Sequence, residues 1–241
     1  MQEEVPSGVL VVDKDSGMTS HDLVAITRRQ LNFKKIGHCG TLDPMATGVM
    51  MLVIGKATKL QDPLMCEDKV YDGSLMLGVT TGSQDKESDV EEVKEVPEFS
   101  VDDVDAAFKN FTGDFDQIPP MVSAIKQNGV PLYKLARQGK TVERKPRAVT
   151  VMDYQIHRVE LPEVDFTVNC TKGFYVRTYA HDIGQHLGCG AHLIALRRTR
   201  SGKFDLSRAI KTEDLKVATR EQIIEKMIPI EEIREMLGLE Q

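Results

Sequence analysis

The stretch Gly37-His38-Cys39-Gly40-Thr41-Leu42-Asp43-Pro44-Met45-Ala46-Thr47-Gly48 holds one carboxylate in a loop of small residues. Glycine admits positive φ and lets another backbone or a ligand come close. Pro44 drives Asp43 out of the α region into an extended conformation. These residues describe a stiff loop that aims one carboxylate in a fixed direction, with His38 nearby. A positioned, ionised carboxylate can act covalently, as it does in glycosidases. An Asp-Pro step is also a common turn starter, so the loop alone leaves a plain turn open beside a catalytic one.

A second group, His181, His186, Cys189 and His192, is close enough in sequence to suggest a metal site. His181 and His186 share a helix face poorly, however, and no metal ligand is assigned. The chain has no Walker loop and no G-x-G-x-x-G fingerprint, so no nucleotide cofactor is expected. Cys39, Cys66, Cys170 and Cys189 form no CxxC pair and no disulfide scaffold. Reduced thiols and a cytoplasmic location are the simplest reading.

The elements that must hold these residues follow from pattern. Val9 to Asp13 and Gly48 to Ile54 read as buried strands, and Lys69 to Leu77 as a third. Ser20 is the expected N-cap of a helix carrying Leu23, Val24, Ile26 and Leu31. Asn32 to Thr47 reads as a loop, and a polar loop follows Leu77 to about Ser88. A helix is expected to start near Val101 and a short one to span Pro131 to Gln138, ended by Gly139. Val149 to Val159 and Val164 to Thr171 alternate like half-buried strands, and Tyr175 to Leu187 reads as a helix. From Thr212 onward the chain reads as two or three short amphipathic helices.

With 241 residues and 41% hydrophobic content, the chain can bury a sizeable core. The net charge of −6 excludes a uniformly basic nucleic-acid binder but not a local basic face. Charge is segregated: Asp85 to Asp105 holds ten acidic residues against Lys86 and Lys94. Lys134, Arg137, Lys140, Arg144, Lys145 and Arg147 form one basic stretch, and Arg197, Arg198, Arg200 and Lys203 another. Such stretches suit a polyanion, and equally an ordinary soluble surface. The apolar runs are far shorter than the roughly 20 residues of a spanning helix, and the acidic start is unlike a signal peptide.

The loop resembles the G-H-x-G-T-L-D-P-x-A-T-G signature of the TruB-type tRNA pseudouridine synthases. Four further motifs resemble the same family, in order. They are Gly8 to Lys14 with Gly17-Met-Thr-Ser20; Lys69-Val70-Tyr71 with Leu77-Gly78 and Thr81 to Asp85; Gln117 to Lys126 with Tyr133, Arg137 and Gly139; and Cys170 to Thr178 with Asp182 and Gly184, then Gly188 to His192 and Leu196-Arg197-Arg198. The resemblance runs from about residue 8 to 204. Asp15, Cys39, Gly82 and Phe174 depart from the family pattern, at a proline, a threonine, an aspartate and a threonine respectively. Loop rigidity near Lys14 and the reactivity of Cys39 are the points these departures raise.

The resemblance implies an α+β fold, a mixed and largely antiparallel sheet flanked by helices, with an RNA-clasping insertion near 117 to 147. A single catalytic domain over 1–241 with a helical tail from about 206 is expected. The larger departure from the family pattern is the expected lack of the C-terminal RNA-binding domain of the PUA type that most bacterial relatives carry, and with it weaker tRNA binding than in longer relatives. The implied activity is isomerisation of uridine 55 in the T arm of tRNA, without cofactor, by a cytoplasmic monomer needing no protein partner. Asp43 would be the catalytic carboxylate, Arg177 its ion-pair partner, and Tyr71 the platform for the flipped base. His38, Tyr175, Leu196, Asp85 and Lys14 would serve the substrate site. Lys126, Lys134, Arg137, Arg144, Lys145 and Arg147 would hold RNA phosphates. Two alternatives stand beside this: a tRNA-folding factor with secondary catalysis, and a guide-RNA-dependent synthase.

Overall fold

A computed structural model describes residues 5–127 and 129–239. The chain divides into two compact units, Met1–Tyr71 with Leu196–Gln241, and Asp72–Ala195. It passes from one unit to the other within the strands Lys69–Leu77 and Ala191–Ser201. Each unit is α+β, with mixed or antiparallel strands flanked by helices.

In the first unit the strand Gly8–Lys14 lies antiparallel to Thr47–Ile54, with Gly8 opposite Ile54 and Lys14 opposite Gly48. Both are near-continuous apolar runs, as a strand covered on both faces requires, and both are buried along most of their length. The other edge of Thr47–Ile54 takes Ile36–Cys39 antiparallel, and pairs Thr47 and Gly48 in parallel with Arg197 and Arg198. Gly8–Lys14 in turn takes Ile210–Lys211 in parallel and Ile228–Pro229 antiparallel. Helix Ser20–Leu31 buries Leu23, Val24 and Leu31. The tail forms three short helices, Thr212–Val217, Arg220–Lys226 and Ile230–Met236.

In the second unit the long strand Arg147–Glu160 pairs antiparallel with Glu163–Cys170 and, at its start, with Gly113–Gln117. Alternate residues of Glu163–Cys170 point inward, where Phe166 meets Phe108 and Tyr179 edge-on at 5.3 and 6.0 Å. Phe108 comes from helix Val101–Asn110 and Tyr179 from helix Val176–His186, so this aromatic cluster fixes the helix that carries Arg177. The insertion holds a two-residue ladder, Lys126–Gln127 with Val130–Pro131, and a short helix Leu132–Ala136.

Three sequence expectations are corrected. Thr19, not Ser20, caps the first helix, because Thr19 and Asp22 form the reciprocal capping box. The expected loop from Asn32 to Thr47 contains the strand Ile36–Cys39, stabilised by the free edge of Thr47–Ile54. The polar stretch after Leu77 and the acidic one beyond it contribute the antiparallel pair Val79–Thr81 and Val90–Val93. No helix among the described residues is long and apolar enough to cross a membrane.

Candidate active site

The first unit builds the loop around Asp43 from buried braces. Asp43 itself is half-buried, and its carbonyl accepts from Ala46 N–H at 3.1 Å, closing the Asp-Pro turn. Lys14 is fully buried, and its ammonium donates to the carbonyls of Ala46 at 2.6 Å, Asp15 at 3.0 Å and Pro44 at 3.2 Å. A buried cation is tolerated only when its hydrogen bonds are satisfied, and here two of the three carbonyls belong to Pro44 and Ala46, just after Asp43. The sequence places Lys14 among the substrate contacts; its side chain instead braces the loop from inside. Ser20 Oγ accepts from Leu42 N–H at 3.0 Å and lies 3.3 Å from its carbonyl, and Gly17 N–H donates to Pro44 at 2.8 Å. Asp15, where the family pattern has proline, contributes its carbonyl to this network.

Arg198 completes the cradle. It is 1% exposed, with Nε donating to the Val49 carbonyl at 2.8 Å and Nη2 to that of Gly40 at 3.1 Å. Arg197 makes a two-pronged pair with Asp13, at 3.0 and 2.7 Å. The second basic stretch of the sequence is therefore largely structural: these two guanidiniums are spent on the fold, Lys203 donates to Met236, and Arg200 is exposed.

Two residues expected beside the base sit on neighbouring strands of the same unit. Tyr71 and Leu196 are each 8% exposed. Thr199 Oγ1 donates to the Val70 carbonyl at 3.4 Å, tying the strand of Tyr71 to that of Leu196. Thr47 Oγ1 lies 3.5 Å from the Leu196 carbonyl. His38 meets His21 edge-on at 5.0 Å between ring centres. Burial first, then the charges of His21 and Arg198, push the His38 imidazolium down to about 4, so the ring is neutral near pH 7. Cys39 belongs to the apolar core, and burial pushes its thiol up to about 12, which removes thiolate reactivity from this position.

The second unit holds the remaining candidates. Arg177 is 3% exposed and donates to the carbonyls of Ser83 at 2.7 Å and Val122 at 2.8 Å. Its Nε lies 3.6 Å from Asp85 Oδ2. Asp85 is itself buried and accepts from Ser83 Oγ and from Glu87 N–H. Thr178 Oγ1 donates to Gln84 Oε1 at 2.7 Å, so the helix grips the Thr81 to Asp85 loop by two side chains. Tyr175 is half-buried at the start of that helix.

The basic residues of the insertion differ in availability. Lys126, Lys134, Arg137, Lys145 and Arg147 are exposed, with Arg137 over the Tyr133 ring at 5.6 Å. Arg144 is half-buried and donates to the Pro119 carbonyl at 3.2 Å. Among the described residues no His, Cys, Asp and Glu side chains gather as a metal-holding group. His192 Nδ1 instead faces the Val79 carbonyl at 3.0 Å, and His186 packs edge-on against Phe111.

Sequence reasoning missed Ser20 as a brace, Arg198 as a buried one, and Gln117. The alternation of strand Ala191–Ser201, which turns Leu196 and Arg198 inward together, is the signal for Arg198.

These features define a pseudouridine synthase fold. Residues 28–176 match the N-terminal domain of TruB family pseudouridylate synthases, and residues 177–237 match the tRNA pseudouridylate synthase B C-terminal domain. The chain belongs to the TruB family of pseudouridylate synthases. It is 52% identical over 223 residues to tRNA pseudouridine synthase B of Opitutus terrae, covering 92% of each chain. It is 48% identical over 226 residues to the protein of that name from Syntrophotalea carbinolica, covering 94% of this chain and 74% of the relative. Among solved structures it resembles a chain in the crystal structure of a Cbf5-Nop10-Gar1 complex, with a TM-score of 0.74 and 31% identity. That match covers 96% of this chain but 63% of the other, so this chain spans less than two thirds of that protein.

Proposed function

We propose that this chain isomerises uridine 55 in the T arm of tRNA to pseudouridine, with Asp43 as the catalytic carboxylate. The observation that carries this reading is the Asp43 loop, braced from inside by Lys14, Ser20 and Arg198. The naming of its relatives as tRNA pseudouridine synthase B supports the substrate class.

The reaction breaks the N1–C1′ bond, turns the base, joins C5 to C1′, and moves one proton from C5 to solvent while N1 gains one. Atoms and charge balance without oxidant or hydrolysis, so the chemistry calls for no nicotinamide, ATP or metal. Asp43 acts on the nucleotide as an ionised carboxylate, at C1′, at C6, or by assisting elimination. Arg177, buried beside Asp85, is the cation this reading assigns to the reaction. Taking the base out of its stack costs a few kcal/mol. Stacking on Tyr71 returns about 1–3 kcal/mol. In this reading Tyr71 also handles the C5 proton. Tyr175 and Leu196 are substrate-binding residues in this reading. His38, a neutral ring, enters the opened RNA stack without needing a counter-charge. Lys14 and Asp85 are positioning residues, acting through the Asp43 loop and Arg177. Lys126, Lys134, Arg137, Lys145 and Arg147 hold phosphates and fix the register of the RNA without reading sequence; Arg144, bonded to Pro119, serves the insertion first.

The protein works alone, as a monomer in the cytoplasm. The likeness to a chain from a Cbf5-Nop10-Gar1 complex is the observation that keeps a guide-RNA-dependent reading in view. A minimal T-arm stem-loop separates the two: pseudouridine formed on it by the protein alone supports the stand-alone enzyme, and dependence on added RNA or protein overturns it. Tight tRNA binding with no product in the wild type would favour a folding factor.

A further inference from the structure

The insertion is joined to the pocket helix by an unusual clamp. Gln117 closes the strand Gly113–Gln117, with its Cα opposite Arg147, and is 2% exposed. Its Nε2 donates to the Tyr175 carbonyl at 3.1 Å, and its Oε1 accepts from Tyr175 N–H at 2.8 Å. One side-chain amide thus satisfies both backbone groups of Tyr175, as a neighbouring strand residue would. Exchanging its oxygen and nitrogen would oppose donor to donor and acceptor to acceptor, so both bonds fix the orientation of the amide.

Tyr175 needs such a clamp. It is the cap residue of helix Val176–His186, in extended geometry at φ −110 and ψ 106, and no side chain caps this helix. Its carbonyl also accepts from Tyr179 N–H at 3.0 Å, so the clamp sets where the helix begins. Two residues on, Arg177 donates to the Val122 carbonyl, five residues past Gln117 in the insertion. The first segment of the insertion therefore touches both pocket residues that begin this helix.

We propose that Gln117 is a positioning residue of the reaction: its amide fixes the Tyr175 backbone and so couples the root of the RNA-holding insertion to the base pocket. The inference rests on the reading of Tyr175 as a substrate-binding residue given above. A plain structural glutamine would contribute to stability and leave the chemical step alone.

Two variants separate these roles. Gln117→Glu keeps the shape and the acceptor for Tyr175 N–H but turns a lone pair toward the Tyr175 carbonyl. Gln117→Met keeps the length and removes both bonds. Hydrogen exchange of the peptide spanning Tyr175 is measured without RNA, alongside thermal unfolding. Single-turnover pseudouridine formation and Kd are then measured with an unmodified tRNA transcript. The expected result is exchange faster by about tenfold in Gln117→Met but not in Gln117→Glu. The single-turnover rate is expected to fall about tenfold in both variants. The Kd for tRNA should stay within about twofold, because exposed cations set it. Unchanged rates in both variants, or rate losses matched by equal losses of tRNA affinity, overturn the role of Gln117 while the wild type remains active. A wild type that forms no pseudouridine overturns the functional reading itself.

Discussion

Gly48→Ala strikes the joint on which the Asp43 loop depends. Gly48 has φ +100, and a Cβ built on it would lie 2.2 Å from the Arg198 carbonyl oxygen and 2.9 Å from both Arg198 C and N. All three are backbone atoms, so no side-chain rotation relieves the overlap. A left-handed conformation costs a non-glycine residue roughly 1–2 kcal/mol. Overpacking against a fixed neighbour adds about 1–3 kcal/mol. The sum is a destabilisation of roughly 2–5 kcal/mol, read by urea unfolding followed by circular dichroism. Gly113→Ala is the control, because Gly113 has φ +82 and nothing within 4 Å of the added atom. It should lose only the conformational part, roughly 1–2 kcal/mol. Arg198 also holds Gly40, so moving its strand loosens the loop, and single-turnover pseudouridine formation should fall with stability. A Gly48→Ala protein within about 0.5 kcal/mol of wild type would refute the close approach of these two strands.

Other perturbations probe the site's chemistry. Lys14→Met removes three bonds to buried carbonyls and should cost roughly 2–4 kcal/mol with a slowed reaction; wild-type stability and rate would contradict the brace. His38 is held near 4 in the folded protein against an ordinary 6.5, so the unfolded chain protonates first. Its contribution to stability is complete above pH 6.5 and is lost as pH falls toward 4, and His38→Phe should flatten that slope in pH-dependent unfolding. Asp182 runs the opposite way, since burial raises its carboxyl to about 6 from 3.8. Stability is lost as pH rises through that window, so Asp182→Asn should be more stable than wild type at neutral pH and equal to it below 3.8. Mass spectrometry after brief alkylation of the native protein should find Cys66 modified and Cys39 intact; early modification of Cys39 would contradict its burial.

Local constraint made much of this site readable. The Asp43 loop is written in glycine and proline, whose backbone preferences act without tertiary help. The strands Gly8–Lys14 and Thr47–Ile54 are unbroken apolar runs, and burial on both faces follows from that. Ile36–Cys39 was not legible, because four residues centred on Gly37 and His38 become a strand only through the edge they pair with. At Thr19 and Ser20 two hydroxyls compete for one cap; Asp22, three residues after Thr19, decides it and frees Ser20 to hold Leu42. Arg198 reads as a surface cation until strand alternation turns it inward onto carbonyls that the fold supplies from Gly40 and Val49. The clamp between Gln117 and Tyr175 joins residues 58 apart, a pairing set by topology alone.

The most direct measurement is to incubate the purified protein, without added cofactor, with an unmodified tRNA transcript and to map pseudouridine by position. Wild type should place it at position 55, and Asp43→Asn should bind the same tRNA with similar affinity and form none. A wild type that forms no pseudouridine while binding tRNA as the mutant does, or an Asp43→Asn protein as active as wild type, would contradict the assignment of Asp43 as the catalytic carboxylate.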